Sequence, residues 1–506
     1  MALKKKPGYT PSVLKNVFFQ GISGIIGKVG GLVFTILIAR TLFPELFGIY
    51  SLALTIILTI ITFSDIGVGQ TITRYVADSL GKKKNSKKEA RSRFLFLIKI
   101  KIILAFIFAL ALFLLANPIA NLFNKAALVV PLQIGSIYLF IGALYTAIGP
   151  TFLGIQKVKH SSIAETIFQI SRVILIFIFL YYYKTVSVAF IVLAIAAAIA
   201  LIYSLFIVIK KYRYLITGRQ EQVERKRMFI FSAFLALSSL SSIFFTNIDK
   251  FMLGYYLPAE FLGYYTTIIT IIGGALALTS FGVVVFPVFT QLKGLRLKKA
   301  VKRTFRYLTL VAVPATIGLT YLMVPSIQIL YGAAYVPPEM KIPLILTGIF
   351  LSFLVFEAII SGLYATLFNA KEKPKFPALS MIIASVINIV LNIVFIFYFI
   401  KISPGYGLIG AGLATFISRY INLGILYFTA RKKFKIRSGK AALLKPILAS
   451  LVMLGFLFLF GYLFPLTILS WIIMLILAVA VYIGFMILIK GLDQKDFKLL
   501  KLILKK

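Results

Sequence analysis

The stretch Pro44-Glu45-Leu46-Phe47-Gly48-Ile49-Tyr50 returns as Ala259-Glu260-Phe261-Leu262-Gly263-Tyr264-Tyr265, 215 residues further along a chain of 506. The same gap-free shift pairs Gly67-Val68 with Gly282-Val283 and Thr151-Phe152-Leu153 with Thr366-Leu367-Phe368. It also pairs the basic loop from Lys82 to Lys88 with the one from Leu297 to Arg303. One shift serving four separated places is the mark of a duplicated module, and a repeat bounds the architecture before any local reading does.

Between these landmarks the chain is apolar almost throughout. Hydrophobic residues make up 60% and charged residues 14%, with a mean hydropathy of +1.00, which is the composition of an integral membrane protein. Runs long enough to span lie at about 17–40, 46–64, 94–116, 129–154, 161–182, 186–209, 228–248, 262–288, 307–328, 342–369, 377–400, 406–430, 446–464 and 467–489. The expected fold is therefore an all-α polytopic membrane protein of about fourteen helices, two six-helix repeats followed by two extra helices. An even number of helices per module makes the repeats parallel, related by an axis along the membrane normal, and such pairs enclose a site between them. The expected organisation is an N-terminal lobe over 1–209, a basic cytoplasmic linker over 210–227, a C-terminal lobe over 228–430, and a final helix pair with a basic tail over 431–506.

The formal charge of +41 does not indicate nucleic acid, because the basic residues sit in short loops and not on one solvated face. With the N-terminus taken as cytoplasmic, only Arg40, Lys125, Lys184, Lys250, Lys341 and Lys401 fall in outer loops. The positive-inside rule then puts both termini in the cytoplasm. Five basic residues remain inside apolar runs. Lys99 and Lys101 lie near the cytoplasmic edge and are expected to snorkel to it, as are Arg40 and Lys250 at the outer edge. Lys28, about 17 Å along its helix, Arg172 and Arg419 lie near mid-depth, as does one carboxylate, Glu357. A central charge costs about 2.5 to 3.5 kcal/mol on insertion scales, so each is expected to face a cavity or a partner. Three cations against one carboxylate suit an anionic ligand.

Other groups round out the candidate site. Gly21, Gly24, Gly27, Gly30 and Gly31 flank Lys28, as a packing face or as a hinge. Glu165 and Arg172 share a helix face. Asn388 and Asn392, and Arg419 with Asn422, are a turn apart and either bond helices together or meet sugar hydroxyls. Gly405-Tyr406-Gly407-Leu408-Ile409-Gly410 fits a dinucleotide fingerprint but lacks the strand before it. There is no cysteine and one histidine, His160, so neither a disulfide nor a thiolate or histidine metal site is expected. No Walker motif and no long extramembrane segment is present, so no ATPase or enzyme activity and no cofactor is expected.

Ile38-Ala39-Arg40-Thr41-Leu42-Phe43-Pro44-Glu45-Leu46-Phe47-Gly48, with Ser64-Asp65-Ile66-Gly67 running on to Thr73-Arg74-Tyr75, resembles the opening of the polysaccharide biosynthesis flippases. Ile248-Asp249-Lys250-Phe251-Met252-Leu253-Gly254 and Tyr406-Gly407-Leu408-Ile409-Gly410-Ala411-Gly412 resemble later segments of that family. The resemblance implies the fold of the multidrug/oligosaccharidyl-lipid/polysaccharide superfamily, with family motif positions at Arg40, Asp65, Arg74, Asp249 and Lys250. It implies a plasma-membrane protein moving polyprenyl- or dolichyl-linked sugars outward by alternating access, with membrane lipids and pathway glycosyltransferases or polymerases as partners. Lys28, Arg172 and Arg419 would meet the phosphate, Asn388, Asn392 and Asn422 the sugar, and Glu357 would couple transport to H+ or Na+. The alternative is a cation-coupled multidrug efflux antiporter of the same superfamily. A single Lys28 where related peptidoglycan-lipid flippases carry an Arg-Asp pair counts against lipid II as cargo.

Overall fold

A computed structural model describes residues 11–492 apart from 66, 82–85, 219–220, 222–223, 278–281 and 437–440. Every regular element among the described residues is helical. A bilayer offers the backbone no water, so each spanning segment must satisfy its own amides, and the helix does this within one segment.

The chain runs through α1 (Pro11–Asp65), α2 (Val68–Leu80), α3 (Ser86–Leu114), α4 (Ala116–Leu122), α5 (Val129–Gly154), α6 (Val158–Tyr182), α7 (Val186–Lys211) and α8 (Arg225–Tyr256). It continues through α9 (Ala259–Ala277), α10 (Gly282–Gln291), α11 (Gly294–Tyr331), α12 (Lys341–Ala370), α13 (Lys375–Ile400), α14 (Gly407–Phe434), α15 (Ala441–Leu463) and α16 (Ile468–Leu488). By length and composition, 12 helical stretches among the described residues can cross a membrane. The first of them contains both of the first two expected runs. They are joined across a break at Phe43, whose φ of 59° and ψ of 172° leave the helical region. Pro44 explains the position of the break, because its ring disfavours the helical conformation in the residue before it. The layout of two six-helix repeats plus two is not resolved by this count, although α8 occupies the expected seventh run.

Two compact units result, Met1–Gly263 and Tyr264–Lys506. In the first, α1 packs on α3, α5, α6 and α8, while α5 and α6 pack on α7. Its landmark glycines are contact points. A Cβ on Gly48 would lie 1.7 Å from the Ala259 carbonyl oxygen, and one on Gly263 would lie 2.2 Å from the Pro44 carbonyl oxygen. The two copies of the duplicated motif thus cross backbone to backbone, each through its own glycine. Close by in sequence, Lys125 Nζ donates to the carbonyls of Gly254 at 2.6 Å and Leu257 at 2.9 Å, closing the C-terminal end of α8 with a cation.

Part of the segment expected as the basic cytoplasmic linker, 210–227, packs into this unit. Leu215 is buried in a cluster with Tyr75, Phe94 and Phe152, and Tyr212, Tyr214 and Ile216 pack against it. The boundary between compact units therefore falls within α9, beyond the end of that segment.

In the second unit, α12 and α13 pack on α14, and α11 packs on α12 and α15. The glycines of the apparent dinucleotide fingerprint are packing residues. A Cβ on Gly410 would lie 2.7 Å from the Phe395 carbonyl oxygen, and one on Gly405 would meet Met340. The last two helices, α15 and α16, share a core of Leu322, Met453, Leu457, Met474, Tyr482 and Met486 with α11. Tyr482 Oη donates to the Leu310 carbonyl at 2.9 Å and Trp471 Nε1 to Ser326 Oγ at 3.2 Å. They are an integral layer of the unit.

Candidate functional site

Among the described residues, each unit carries a cluster of polar side chains inside its spanning helices. In the first unit the cluster is built on α6, where Glu165, Gln169 and Arg172 recur at helical spacing and face α1. The surface of α1 that receives them is glycine. A Cβ on Gly27 would lie 3.3 Å from Glu165 Oε1, one on Gly30 3.1 Å from Gln169, and one on Gly31 3.0 Å from Arg172 Nη2. These three glycines leave room for polar side chains that no larger residue would admit. Gly21 and Gly24, by contrast, have open space around them. The helix is unbroken through the whole glycine run, and its one departure from helical geometry is at Phe43.

Within the cluster, Gln169 Nε2 donates to Glu165 Oε1 at 2.5 Å and Tyr145 Oη on α5 donates to Glu165 Oε2 at 2.9 Å. The carboxylate is thus held by two neutral donors. The Arg172 guanidinium lies 4.9 Å from the Phe34 ring centroid and 5.1 Å from that of Phe168, positions that orient the cation by attraction to the ring faces. Its Nε is buried with no hydrogen-bond partner among the described residues. Lys28 lies on the same helix as the glycines, next to Gly27, and is exposed. One end of the cluster is closed by Ser23, whose Oγ donates to Ser162 Oγ at 3.2 Å. Arg172 thus stands against the α1 face that carries the glycines, one of which adjoins Lys28.

The second cluster joins α12, α13 and α14. Glu357, 1% exposed, accepts from Ser361 Oγ at 2.6 Å and from Asn422 Nδ2 at 3.3 Å, and feels the positive charge of Arg419. Asn422 Oδ1 in turn accepts from Ser380 Oγ at 2.9 Å. Asn388 Nδ2 reaches Ser418 Oγ at 3.1 Å and Thr415 Oγ1 at 3.3 Å, and Asn392 Nδ2 donates to the Asn388 carbonyl at 3.0 Å. All three asparagines are buried; Asn388 and Asn422 bond α12, α13 and α14 together, while the Asn392 NH2 is used within α13. Asn388 Oδ1 has no partner among the described residues.

The motif positions fall in different places. Asp65, at the end of α1, pairs with Lys101 at 2.9 Å, and Lys101 is 0% exposed. The expectation that Lys101 snorkels to the membrane edge is therefore wrong: α3 turns that face inward, where a carboxylate receives the ammonium. Lys99, two residues away, is exposed. Arg74 lies over the Phe231 ring at 4.2 Å, linking α2 to α8. Asp249 is buried on α8 and Lys250 beside it is half-buried. Arg40 is exposed and lines a cavity of about 410 Å³ with Lys184, Tyr181 and Phe43.

The sequence reading missed Tyr145, Gln169, Ser361, Ser380 and Ser418. The i, i+4, i+7 spacing of Glu165, Gln169 and Arg172 would have flagged Gln169. Nothing local marks the partners on other helices.

A bundle of long apolar helices with buried charge clusters defines a multi-pass membrane protein. The chain belongs to the family described as Polysaccharide biosynthesis protein, whose model matches residues 13–293. Over 127 residues it is 29% identical to a protein named Probable lipid II flippase MurJ from Vibrio cholerae, covering 24% of this chain and 22% of that one. That sequence match thus spans about a fifth of the relative's length. The fold is similar to a lipid II flippase MurJ in an inward closed conformation, with a TM-score of 0.72 at 18% identity over 94% of this chain and 99% of that one. It is also similar to an inward-facing multidrug resistance MATE family transporter of the MOP superfamily, with a TM-score of 0.63 at 16% identity over 81% and 94%. A MOP superfamily transporter from Pyrococcus furiosus matches with a TM-score of 0.56 at 15% identity over 83% and 96%.

Proposed function

We propose that this protein is a flippase that moves a polyprenyl- or dolichyl-(di)phosphate-linked oligosaccharide, or a polysaccharide repeat unit, from the cytoplasmic to the outer leaflet. The observation that carries this reading is Arg172. It is a guanidinium inside a spanning helix, oriented by Phe34 and Phe168 and set against the glycine face of the helix that carries Lys28. A phosphate or diphosphate can take charge-assisted hydrogen bonds from such a group, and an arginine can give two in parallel. The lipid tail needs no protein site, because it can remain in the bilayer while the head crosses.

The transport step is alternating access, with both termini in the cytoplasm as the loop charges require. Arg172 and Lys28 offset the phosphate charge on entry. Glu357 is the acid through which an H+ or Na+ gradient would act, its protonation altering the Ser361, Asn422 and Arg419 contacts. Drug efflux is the weaker reading. Cationic drugs call for a carboxylate open to them, whereas the Glu165 carboxylate is taken by Tyr145 and Gln169 and Glu357 is buried.

The two readings separate in one reconstituted system. Proteoliposomes would be offered a labelled lipid-linked oligosaccharide in one set and a fluorescent cationic drug in another. Leaflet transfer of the lipid with no drug accumulation is the expected result. Drug movement without lipid transfer would overturn the proposal.

A further inference from the structure

The basic loop repeated at Lys82 to Lys88 and Leu297 to Arg303 has different surroundings in its two copies. In the first, Lys87 Nζ lies 5.5 Å from the Tyr214 ring centroid and Arg91 Nε donates to the Ile216 carbonyl at 3.2 Å. Leu215, between them in sequence, is fully buried. The chain that follows α7 therefore covers this basic face.

The positions 215 residues later are Lys302 and Arg306, on the first turns of α11. Among the described residues, the chain after α7 has no counterpart over this face, which meets the start of α15 and the chain after α16 instead. The face borders a cavity of about 420 Å³ formed with the start of α15 and the end of α16. Lys299, Lys302, Arg303 and Arg306 from α11, Lys445 from α15 and Lys490 beyond α16 all line it, and no carboxylate is among the lining residues. Asp493 and Asp496 follow in the chain but lie outside the described residues.

Two of the cations bond to carbonyls of the chain after α16: Arg306 Nη2 donates to Gly491 at 3.1 Å and Lys445 Nζ to Lys490 at 2.8 Å. The remaining walls, Leu310, Pro446 and Met486, are apolar. Beside them Val311, Leu444, Leu448 and Leu488 are exposed on the outer surface of the same helices, as lipid-facing residues are. A cationic cavity thus sits at the membrane boundary next to an apolar flank.

We infer that this cavity binds the phosphate head group of an anionic membrane lipid, with the acyl chains lying along the apolar flank of α11, α15 and α16. Basic pockets between spanning helices on the cytoplasmic side bind anionic head groups in this way. The ligand is a resident of the leaflet and is not the transported cargo, so binding is measurable whether or not the protein transports. The bound lipid would anchor α15 and α16 to α11 where the first copy uses its own chain for that purpose.

Dioleoylphosphatidylglycerol would be titrated into the full-length protein in neutral detergent and bound lipids counted by native mass spectrometry. The Lys302→Gln/Arg303→Gln variant changes two exposed side chains and should fold as the parent does. It should bind the lipid about tenfold or more weakly, at roughly 1 kcal/mol per basic residue. Lys490→Gln, which approaches from α16, should weaken binding in the same sense. Arg431→Gln/Lys432→Gln, equal in charge removed but on α14, should bind as the parent does. Inorganic phosphate should fail to displace the lipid. Equal loss in the α14 variant would refute the assignment, as would parental binding by Lys302→Gln/Arg303→Gln. Displacement by inorganic phosphate at matched affinity would replace it with a site for a soluble phosphate.

Discussion

Replacing Asp65 by Asn should cost more than replacing Lys101 by Met, although both changes break the same ion pair. The ammonium of Lys101 is fully buried, whereas the Asp65 side chain keeps 31% of its surface accessible. Asp65→Asn leaves an ammonium buried without its counter-charge. Breaking a buried pair from one side costs about 3–5 kcal/mol, and the partial exposure of Asp65 places this case near the lower figure, about 3 kcal/mol. Lys101→Met leaves a carboxylate that still reaches solvent and fills the Lys101 space with an apolar chain of similar length, so about 1 kcal/mol is expected. The double variant removes both charges and should lie close to Lys101→Met alone. Thermal loss of monodisperse protein, followed by size-exclusion chromatography in detergent, would rank the four proteins. Equal destabilisation by the two single changes would refute the reasoning, as would a double variant no better than Asp65→Asn.

Gly48→Ala and Gly263→Ala should each destabilise by about 1–3 kcal/mol or more, because the added carbon meets a backbone carbonyl that cannot rotate away. Gly254→Ala is the control in the same thermal assay, since its added carbon meets only the Leu52 side chain, at 2.9 Å. Arg172→Gln should slow transfer of a phosphate-linked sugar lipid about 10- to 100-fold, the value of one or two charge-assisted hydrogen bonds at about 1.5–3 kcal/mol. Arg172→Lys should recover only part of this, which initial rates would show. Glu357→Gln should leave downhill transfer intact while removing its response to an imposed H+ or Na+ gradient; an unchanged response would exclude Glu357 from coupling.

The fold was legible in the sequence to the extent that it is written in helix length and in repeated polar landmarks. Pro44 fixes the break at Phe43, and the shared Glu-x-x-Gly landmark marks the places where two glycines cross. What the sequence hid is which way each helix turns. In α3 hydrophobic residues occur all round, so no amphipathic stripe shows that Lys101 points inward to Asp65. The same blankness concealed the partners of Glu165 and Arg172, since Tyr145 and Phe34 lie on other helices. The amides of Asn388, Asn392 and Asn422 were legible as membrane-buried polar groups. The bonds of Asn388 and Asn422 across helices emerge only from the packing of α13 on α14. Segment 210–227 read as a linker from its charge, and its charge gave no sign that Leu215, Tyr212 and Tyr214 join the core of Tyr75, Phe94 and Phe152.

The central claim is that cations held inside the spanning helices receive a lipid-borne phosphate. The most direct measurement is the initial rate at which a labelled lipid-linked oligosaccharide moves between leaflets in proteoliposomes, for the parent, Lys28→Ala and Arg172→Gln at matched reconstitution and stability. The account predicts transfer by the parent and its loss in both variants. Transfer at the parental rate by both variants would contradict it.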